Sequence, residues 1–387
     1  MAYATGRTFH DADSHIMELP DFLRAHAEPG QRDLVPTFSL PAAGALATVL
    51  DAEVLAKGRH APATVAELTA LGDRLLTGPK GHAALGAFNS DERTQALDLL
   101  GFQKQLVFAS YSAGAAFDVR RSIEARYAAA RAHNRGLAEF CAQDARLLGV
   151  ALLPLDAPEL ALQELERIVA AGFKAAWVPH RMPEGRSPGH DAFDPLWARM
   201  AETGVAFLIH VAGSPIQIAP GWFNTGRAEP TDFMGAGESV RGKDMTSLHH
   251  AAETFLGTLV LDGVLERHPS LRGGAIELGA GWVPSMLTRL DWIADIWRRT
   301  EPELARLTRK PSEQVIEQLA FTPMPFEHVA ELIRQSDERL YMFSSDYPHI
   351  EGGRAPIARF EAGLNGASAG ARDAFYAGNF ARVIATA

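Results

Sequence analysis

Short runs of apolar residues recur along the chain, and continuous runs of this kind suit strands buried on both faces. They are Thr8–Asp13, Gln105–Ala109 (QLVFA), Leu148–Leu153 (LGVALL), Phe173–Val178 (FKAAWV), Val205–Val211 (VAFLIHV), Gly274–Leu278 (GAIEL), Gln318–Phe321 (QLAF) and Leu340–Ser344 (LYMFS). Stretches with a helical pattern separate most of them: Ser122–Asp144, Ala157–Ala171, Asp194–Thr203, Trp282–Arg306, Pro325–Ser336 and Gly370–Ala385. Start and stop residues punctuate this pattern. Asp156 or Pro158 opens one helix and Gly172 closes it; Asp194-Pro195 opens another and Gly204 closes it. Strand and helix alternating about eight times predicts a (β/α)8 barrel, with a doubly wound open sheet as the rival.

The stretch from Ile16 to Leu100 is too long for a simple connection between a strand and its helix. It holds Pro-rich turns, a hairpin expected around Thr37–Leu55, and helical pieces at Thr64–Leu76 and Asp91–Leu100. The expectation is one domain over residues 1–387, with residues 16–100 as an insertion that forms a lid or an oligomer contact. A chain of 387 residues with 47% hydrophobic content is long enough for one large core. A formal net charge of −10 without a long basic run argues against a nucleic-acid surface. Cys141 is the one cysteine, so no internal disulfide is expected. No apolar run reaches the length of a membrane span, and Met1–His10 lacks the apolar segment of a secretory signal. These features predict a soluble cytoplasmic protein with a small-molecule partner and no nucleic-acid or membrane partner.

In a barrel, functional side chains gather where strands end. The first run ends Asp11-Ala12-Asp13-Ser14-His15, and alternate residues of a strand share a face, so Asp13 and His15 can grip one ion. His210 stands near the end of VAFLIHV, and the last run leads straight into Asp346. Each has a plainer reading: a solvated turn, a packed histidine, a helix cap. Their placement at one barrel mouth favours the chemical reading. Asp13, His15, His210 and Asp346 offer mixed nitrogen and oxygen donors, which suit one divalent metal, zinc first and manganese or iron next, rather than calcium. His180 and Arg181 end the fourth run and are expected to touch substrate. His349 and Glu351, on the loop after Asp346, bind substrate or orient a ligand. Arg186 is a candidate for holding an anionic group. His249-His250 faces either the site or the surface.

Beyond single residues, six longer motifs carry a resemblance: DADSHIME (Asp11–Glu18), RLLGVALLPL (Arg146–Leu155), GFKAAWVPHR (Gly172–Arg181), FDPLWARMAETGVAFLIHVAGS (Phe193–Ser214), GVLERHPSLRGGAIELGAGWVPSMLTRLD (Gly263–Asp291) and MFSSDYPHIEG (Met342–Gly352). Together they resemble the amidohydrolase-related family that includes aminocarboxymuconate-semialdehyde decarboxylase and the resorcylate and carboxyvanillate decarboxylases. The resemblance implies a distorted (β/α)8 barrel with one catalytic metal and a homodimeric assembly. It also implies Asp346 as the group that delivers a proton to the carbon losing carbon dioxide. Two departures stand out. The family's first-strand HxH is Asp13-x-His15 here, and Glu277 stands where its decarboxylases usually carry a strand-six histidine. The leading expectation is a non-oxidative decarboxylase of an aromatic or unsaturated carboxylic acid. The alternative is a hydrolase that uses a metal-activated water on an amide, ester, lactone or C–C bond. The third reading, a non-catalytic binding protein, is opposed by carboxylates that repel one another without a metal. Glu277 is open to four roles: ligand, general base, acceptor for a neutral substrate, or structural support. An ionised glutamate beside a dication repels an anionic substrate, so it favours a water-using reaction unless Arg181 or Arg186 supplies positive charge.

Overall fold

The structure is a computed structural model that describes residues 2–39, 50, 52–228 and 240–385. Its eight-stranded sheet runs in the order β1 (His10–Asp11), β3 (Lys104–Ala109), β4 (Leu147–Leu152), β5 (Ala175–Trp177), β6 (Ala206–His210), β7 (Gly273–Ile276), β8 (Leu319–Phe321), and β2 (His15–Ile16) also pairs with β3. All pairings are parallel. From β3 to β8 neighbours in sequence are neighbours in space, so among the described residues the reversal of strand order that marks a doubly wound sheet is missing. The result is a curled parallel sheet flanked by helices, a TIM-like arrangement.

The strands are buried on both faces, as their apolar runs require. In β6, Phe207 and Ile209 belong to the larger core between sheet and helices, while Ala206 and Leu208 pack with Leu106, Val150, Trp177 and Ile276 inside the curl. His210 continues the Ala206–Leu208 row, so the pleat aims it inward at the strand's end. The helices carry the start signals seen in the sequence. Ser122 accepts from Ala125 N–H at the head of Ile123–Cys141, Pro158 opens Pro158–Ala170, and Gly204 ends Asp194–Thr203 in the left-handed conformation.

Two expected strands take another form. Of Thr8–Asp13 only His10–Asp11 pairs as a strand, with a second short piece beyond it at His15–Ile16, because Ala12 N–H turns away from β3 to the carbonyl of Phe343 and Asp13 carbonyl accepts from Asp346 N–H. Leu340–Ser344 forms no regular ladder among the described residues. One single bridge, Phe321 with Tyr341, lies within it, and a second, Ser14 with Tyr347, follows just beyond it. The cause lies in competing acceptors: Phe343 N–H goes to the carbonyl of Phe375, and Ser345 N–H to the carboxylate of Asp11 at 2.7 Å. In the stretch between Ile16 and Leu100, the expected helical pieces appear as Pro62–Thr69 and Ser90–Leu100. Most of the expected Thr37–Leu55 hairpin lies outside the described residues. Among the described residues no helix is long and apolar enough to cross a membrane.

Candidate metal centre

Five side chains from four parts of the chain meet in one cavity of about 510 Å3: Asp13, His15, His210, Glu277 and Asp346. Asp13 Oδ1 lies 3.4 Å from both His15 Nε2 and His210 Nε2, and Glu277 Oε2 lies 3.3 Å from His210 Nε2. His15 Nε2 is also 3.4 Å from Asp346 Oδ1. Asp13, His15 and His210 are buried.

Backbone hydrogen bonds fix which nitrogen of each imidazole faces the cavity. His15 Nδ1 sits 3.0 Å from Ala109 carbonyl, and His210 Nδ1 3.0 Å from Val211 carbonyl. A carbonyl only accepts, so each Nδ1 carries the proton and each Nε2 presents a lone pair inward. His15 Nε2 and both carboxylate oxygens of Asp346 are buried with no hydrogen-bond partner. Groups of this kind are costly to bury alone and become satisfied when a cation sits among them. The donor set and its orphaned atoms therefore fit a divalent metal.

Electrostatics points the same way. Burial raises the Asp13 carboxyl, but the His210 and His15 rings outweigh it and hold the group well below the usual carboxylate range. Burial drives His15 below the ordinary histidine value, leaving the ring neutral as a ligand must be. Asp346 is pushed well above the ordinary value, first by burial and then by Glu277 and Asp13. It holds a proton readily when no metal is near.

A shell of further groups holds these side chains. The His349 ring stacks on His15 at 3.8 Å, and its Nδ1 is 3.4 Å from Asp346 Oδ1. Its Nε2 lies 2.8 Å from Ser110 Oγ. Ser110 is placed in turn by Glu18, a fully buried carboxylate that accepts the backbone N–H groups of Ser110, Tyr111 and Ser112. Asp11 is also structural: it accepts from Ser345 N–H, Ser345 Oγ and Gln105 Nε2, joining the first strand to β3 and to the last segment. Glu277 and Asp346 both have left-handed backbones, at φ 56° and 54°. Apolar residues make much of the remaining wall, including Trp177, Ile216, Met324 and Phe326.

The other residues singled out from the sequence lie as follows. His349 and Glu351 line the cavity; His180 and Arg181 are not among its described lining residues. His180 is buried behind Trp177 and Gly213, and burial pushes it down to about 3. Arg181 is bound 3.0 Å from Asp156, which also takes Arg126 at 2.5 Å. Arg186 is exposed, and the His249 ring stacks on Trp282 away from the cavity lining. The supporting roles of Glu18, Asp11 and Ser110 were not visible in sequence. Their signal is geometric: a buried carboxylate facing a row of backbone donors.

The sequence matches the family model for amidohydrolases over residues 91–384. No curated relative matches it. The fold is similar to that of an amidohydrolase from Mycobacterium avium subsp. paratuberculosis K-10, with a TM-score of 0.73 and 22% identity over 98% of this chain and 100% of that one. It is similar to 5-carboxyvanillate decarboxylase from Sphingomonas paucimobilis, with a TM-score of 0.60 and 20% identity over 99% and 100%. It also resembles a dihydroxybenzoic acid decarboxylase from Polaromonas sp. JS666, solved with manganese and the inhibitor 2-nitroresorcinol, with a TM-score of 0.61 and 19% identity over 98% and 97%. At these identities the likeness is one of fold.

Proposed function

The chain belongs to the amidohydrolase family of metal-dependent enzymes, and we propose that it is a hydrolase acting on an uncharged, largely apolar small molecule. The observation that carries this reading is the charge of the cavity. Asp13, Glu277, Asp346 and Glu351 line it, and no Lys or Arg does among the described residues. The undescribed stretches 40–49, 51 and 229–239 contain neither residue type. Lys80 lies near Asp346 and Glu351, but its amine is bound to Gly353 carbonyl at 2.9 Å and burial lowers it to about 8. With Arg181 held by Asp156, no basic side chain among the described lining residues offsets Glu277 for an anionic substrate.

The fold behind this reading is a distorted (β/α)8 barrel, with residues 16–100 as an insertion beside its mouth. Three contacts support that placement: Tyr347 hydroxyl donates to Leu85 carbonyl, Gly81 N–H to Pro348 carbonyl, and Lys80 to Gly353 carbonyl. Asp13, His15 and His210 would hold a divalent ion, with Asp346 beside them, and mixed carboxylate and imidazole donors suit zinc, manganese or iron. When bound, such an ion supplies Lewis acidity toward water and a carbonyl oxygen. Asp346, with its raised proton affinity, takes and returns a proton at its carboxylate oxygens. The Trp177, Ile216, Met324 and Phe326 wall receives the carbon skeleton and excludes bulk water. His349, tied to Ser110, keeps Asp346 in place.

The second reading is a decarboxylase of an aromatic or unsaturated carboxylic acid, favoured by the likeness to decarboxylase folds. One pair of assays separates the two. Metal-loaded protein is given neutral esters, lactones and amides with acid release followed. It is then given hydroxybenzoates with carbon dioxide release followed. Acid release alone supports the hydrolase; carbon dioxide release alone replaces it with the decarboxylase. The exposed side chains Trp292, Ile296 and Trp297 share the helix Val283–Trp297. An apolar face of this kind is commonly covered by self-association, so we infer a homodimer, which light scattering at micromolar concentration tests.

A further inference from the structure

We propose that the cavity continues from the metal centre as an apolar gallery that takes an extended, flexible hydrocarbon tail of the substrate, and that Phe326 receives the far end of that tail. This rests on the reading of a metal-dependent hydrolase of uncharged molecules. It goes further by naming the substrate's shape: an ester, lactone or amide that carries a long alkyl or acyl chain.

The apolar lining is graded in exposure. Trp177 is 2% exposed, and its ring lies 4.7 Å from the His210 ring, beside the donor cluster. Leu248 is 6% exposed, Ile216 and Met324 are half-buried, Met245 is 38% exposed and Phe326 is 67% exposed. All six line the same cavity as Asp13, His15 and His210. Because exposure rises from Trp177 to Phe326 within one cavity, its apolar wall reaches from the donor cluster to solvent. Large apolar side chains left in water at a cavity mouth mark surface that a ligand covers. Met245 and Met324 add unbranched, polarisable thioethers that adjust to a flexible chain.

The position of Phe326 is imposed by its turn. Pro323 and Pro325 restrict the backbone before it. Glu327 closes the turn: its carboxylate accepts Met324 N–H at 2.7 Å, and its own N–H donates to Met324 carbonyl at 3.0 Å. The same carboxylate accepts the N–H of Ala280 at 3.0 Å and of Gly281 at 2.6 Å, which fastens the turn after β8 to the loop after β7. Ala280 and Gly281 immediately precede the helix Val283–Trp297 and its cap Trp282. Backbone donors at a helix start are natural partners for an anion. Here Glu327 occupies them, so they do not serve an anionic group of the substrate. What the Met324–Phe326 turn presents to the gallery is hydrocarbon and thioether surface.

The test uses full-length, Zn2+-loaded protein titrated by calorimetry with acetohydroxamic, hexanohydroxamic and decanohydroxamic acid. The shared head group chelates a metal ion, and only the tail changes. Affinity is expected to rise steeply along the series, by up to about fourfold for each methylene that leaves water. Phe326→Ala is expected to cost decanohydroxamic acid about tenfold and acetohydroxamic acid less than about twofold. Met245→Ala gives a second reading at the mouth should the first variant fail to fold. Equal affinity for the acetyl and decanoyl homologues overturns the gallery while leaving the metal centre standing, as does a rise with length that neither variant reduces. Decanohydroxamic acid bound as tightly by metal-free protein places the tail elsewhere and also overturns it. Failure of the native protein to bind Zn2+ overturns both the gallery and the reading beneath it.

Discussion

The guanidinium of Arg93 donates to the backbone carbonyl of His15. Arg93 is fully buried, and it also donates to Gly86 carbonyl at 2.7 Å and Gln105 Oε1 at 3.1 Å. It thus ties the helix Ser90–Leu100 to the short strand that carries His15, a proposed metal ligand. Arg93→Leu leaves three buried acceptors unsatisfied and is expected to cost about 3–5 kcal/mol, read from urea unfolding. Zinc affinity of the folded fraction should fall as well. A stable variant with native affinity would show that this contact does not position His15.

Gly213 follows β6 in the turn after His210. A methyl group there would meet His180 Nδ1 and Trp177 Nε1 at 2.9 Å and His210 carbonyl at 3.1 Å. Contacts this tight force neighbours to move, and two of the three neighbours are a proposed metal-binding histidine, His210, and a wall of the cavity, Trp177. Gly213→Ala is expected to lose about 1–3 kcal/mol in thermal or urea unfolding. Its metal affinity should drop although no ligand has changed.

Metal removal should expose how much the ion contributes. An ion at 100 times its dissociation constant stabilises a folded protein by about 2.7 kcal/mol. Stripped protein is therefore expected to melt earlier and to recover on adding one equivalent of Zn2+ per chain. His210→Ala should show the early melting and no recovery. Asp346→Asn should recover its melting temperature yet lose about two to four orders of magnitude in turnover. Full turnover of stripped protein would count against the metal-dependent reading.

His133 sets an expectation for acid. The ring is fully buried in the helix Ile123–Cys141, and burial pushes it down to about 3. Glu18 lies 3.5 Å away without a hydrogen bond to it, and His26 adds repulsion. The unfolded chain binds a proton near the ordinary histidine value while the folded chain does not. Stability from this group is therefore complete above pH ~6.5 and is lost as pH falls from there toward 3, by at most about 1.4 kcal/mol per pH unit. Unfolding free energies of His133→Phe between pH 7.5 and 4.5 should fall less steeply than those of the native chain. Parallel curves would assign the acid loss to other groups.

Apolar runs made β3 through β8 readable from sequence, because strands buried on both faces leave little choice of residue. The run ending at His210 also placed that histidine at a strand end. The irregular last segment was not readable. Nothing in YMFSS announces that Asp11, over three hundred positions earlier, takes the Ser345 N–H and so prevents a ladder. The destination of Arg181 was hidden for the same reason: an arginine at a strand end looks the same whether it faces a substrate or, as here, Asp156. Glu277 was visible as a departure from a resemblance, but its 3.3 Å approach to His210 depends on a left-handed turn that a sequence does not display.

The left-handed turns at Glu277 and Asp346 carry a further consequence. Glycine adopts this conformation without strain, and asparagine tolerates it better than most other residues. At both positions, then, replacement with a residue that relaxes the backbone also discards a carboxylate that repels its neighbours. The metal-free chain should gain stability from the very substitutions that disarm it, Glu277→Gly and Asp346→Asn. Screening for thermostability alone would thus select inactive protein at these two positions, a conflict between endurance and chemistry built into the mouth of the curled sheet.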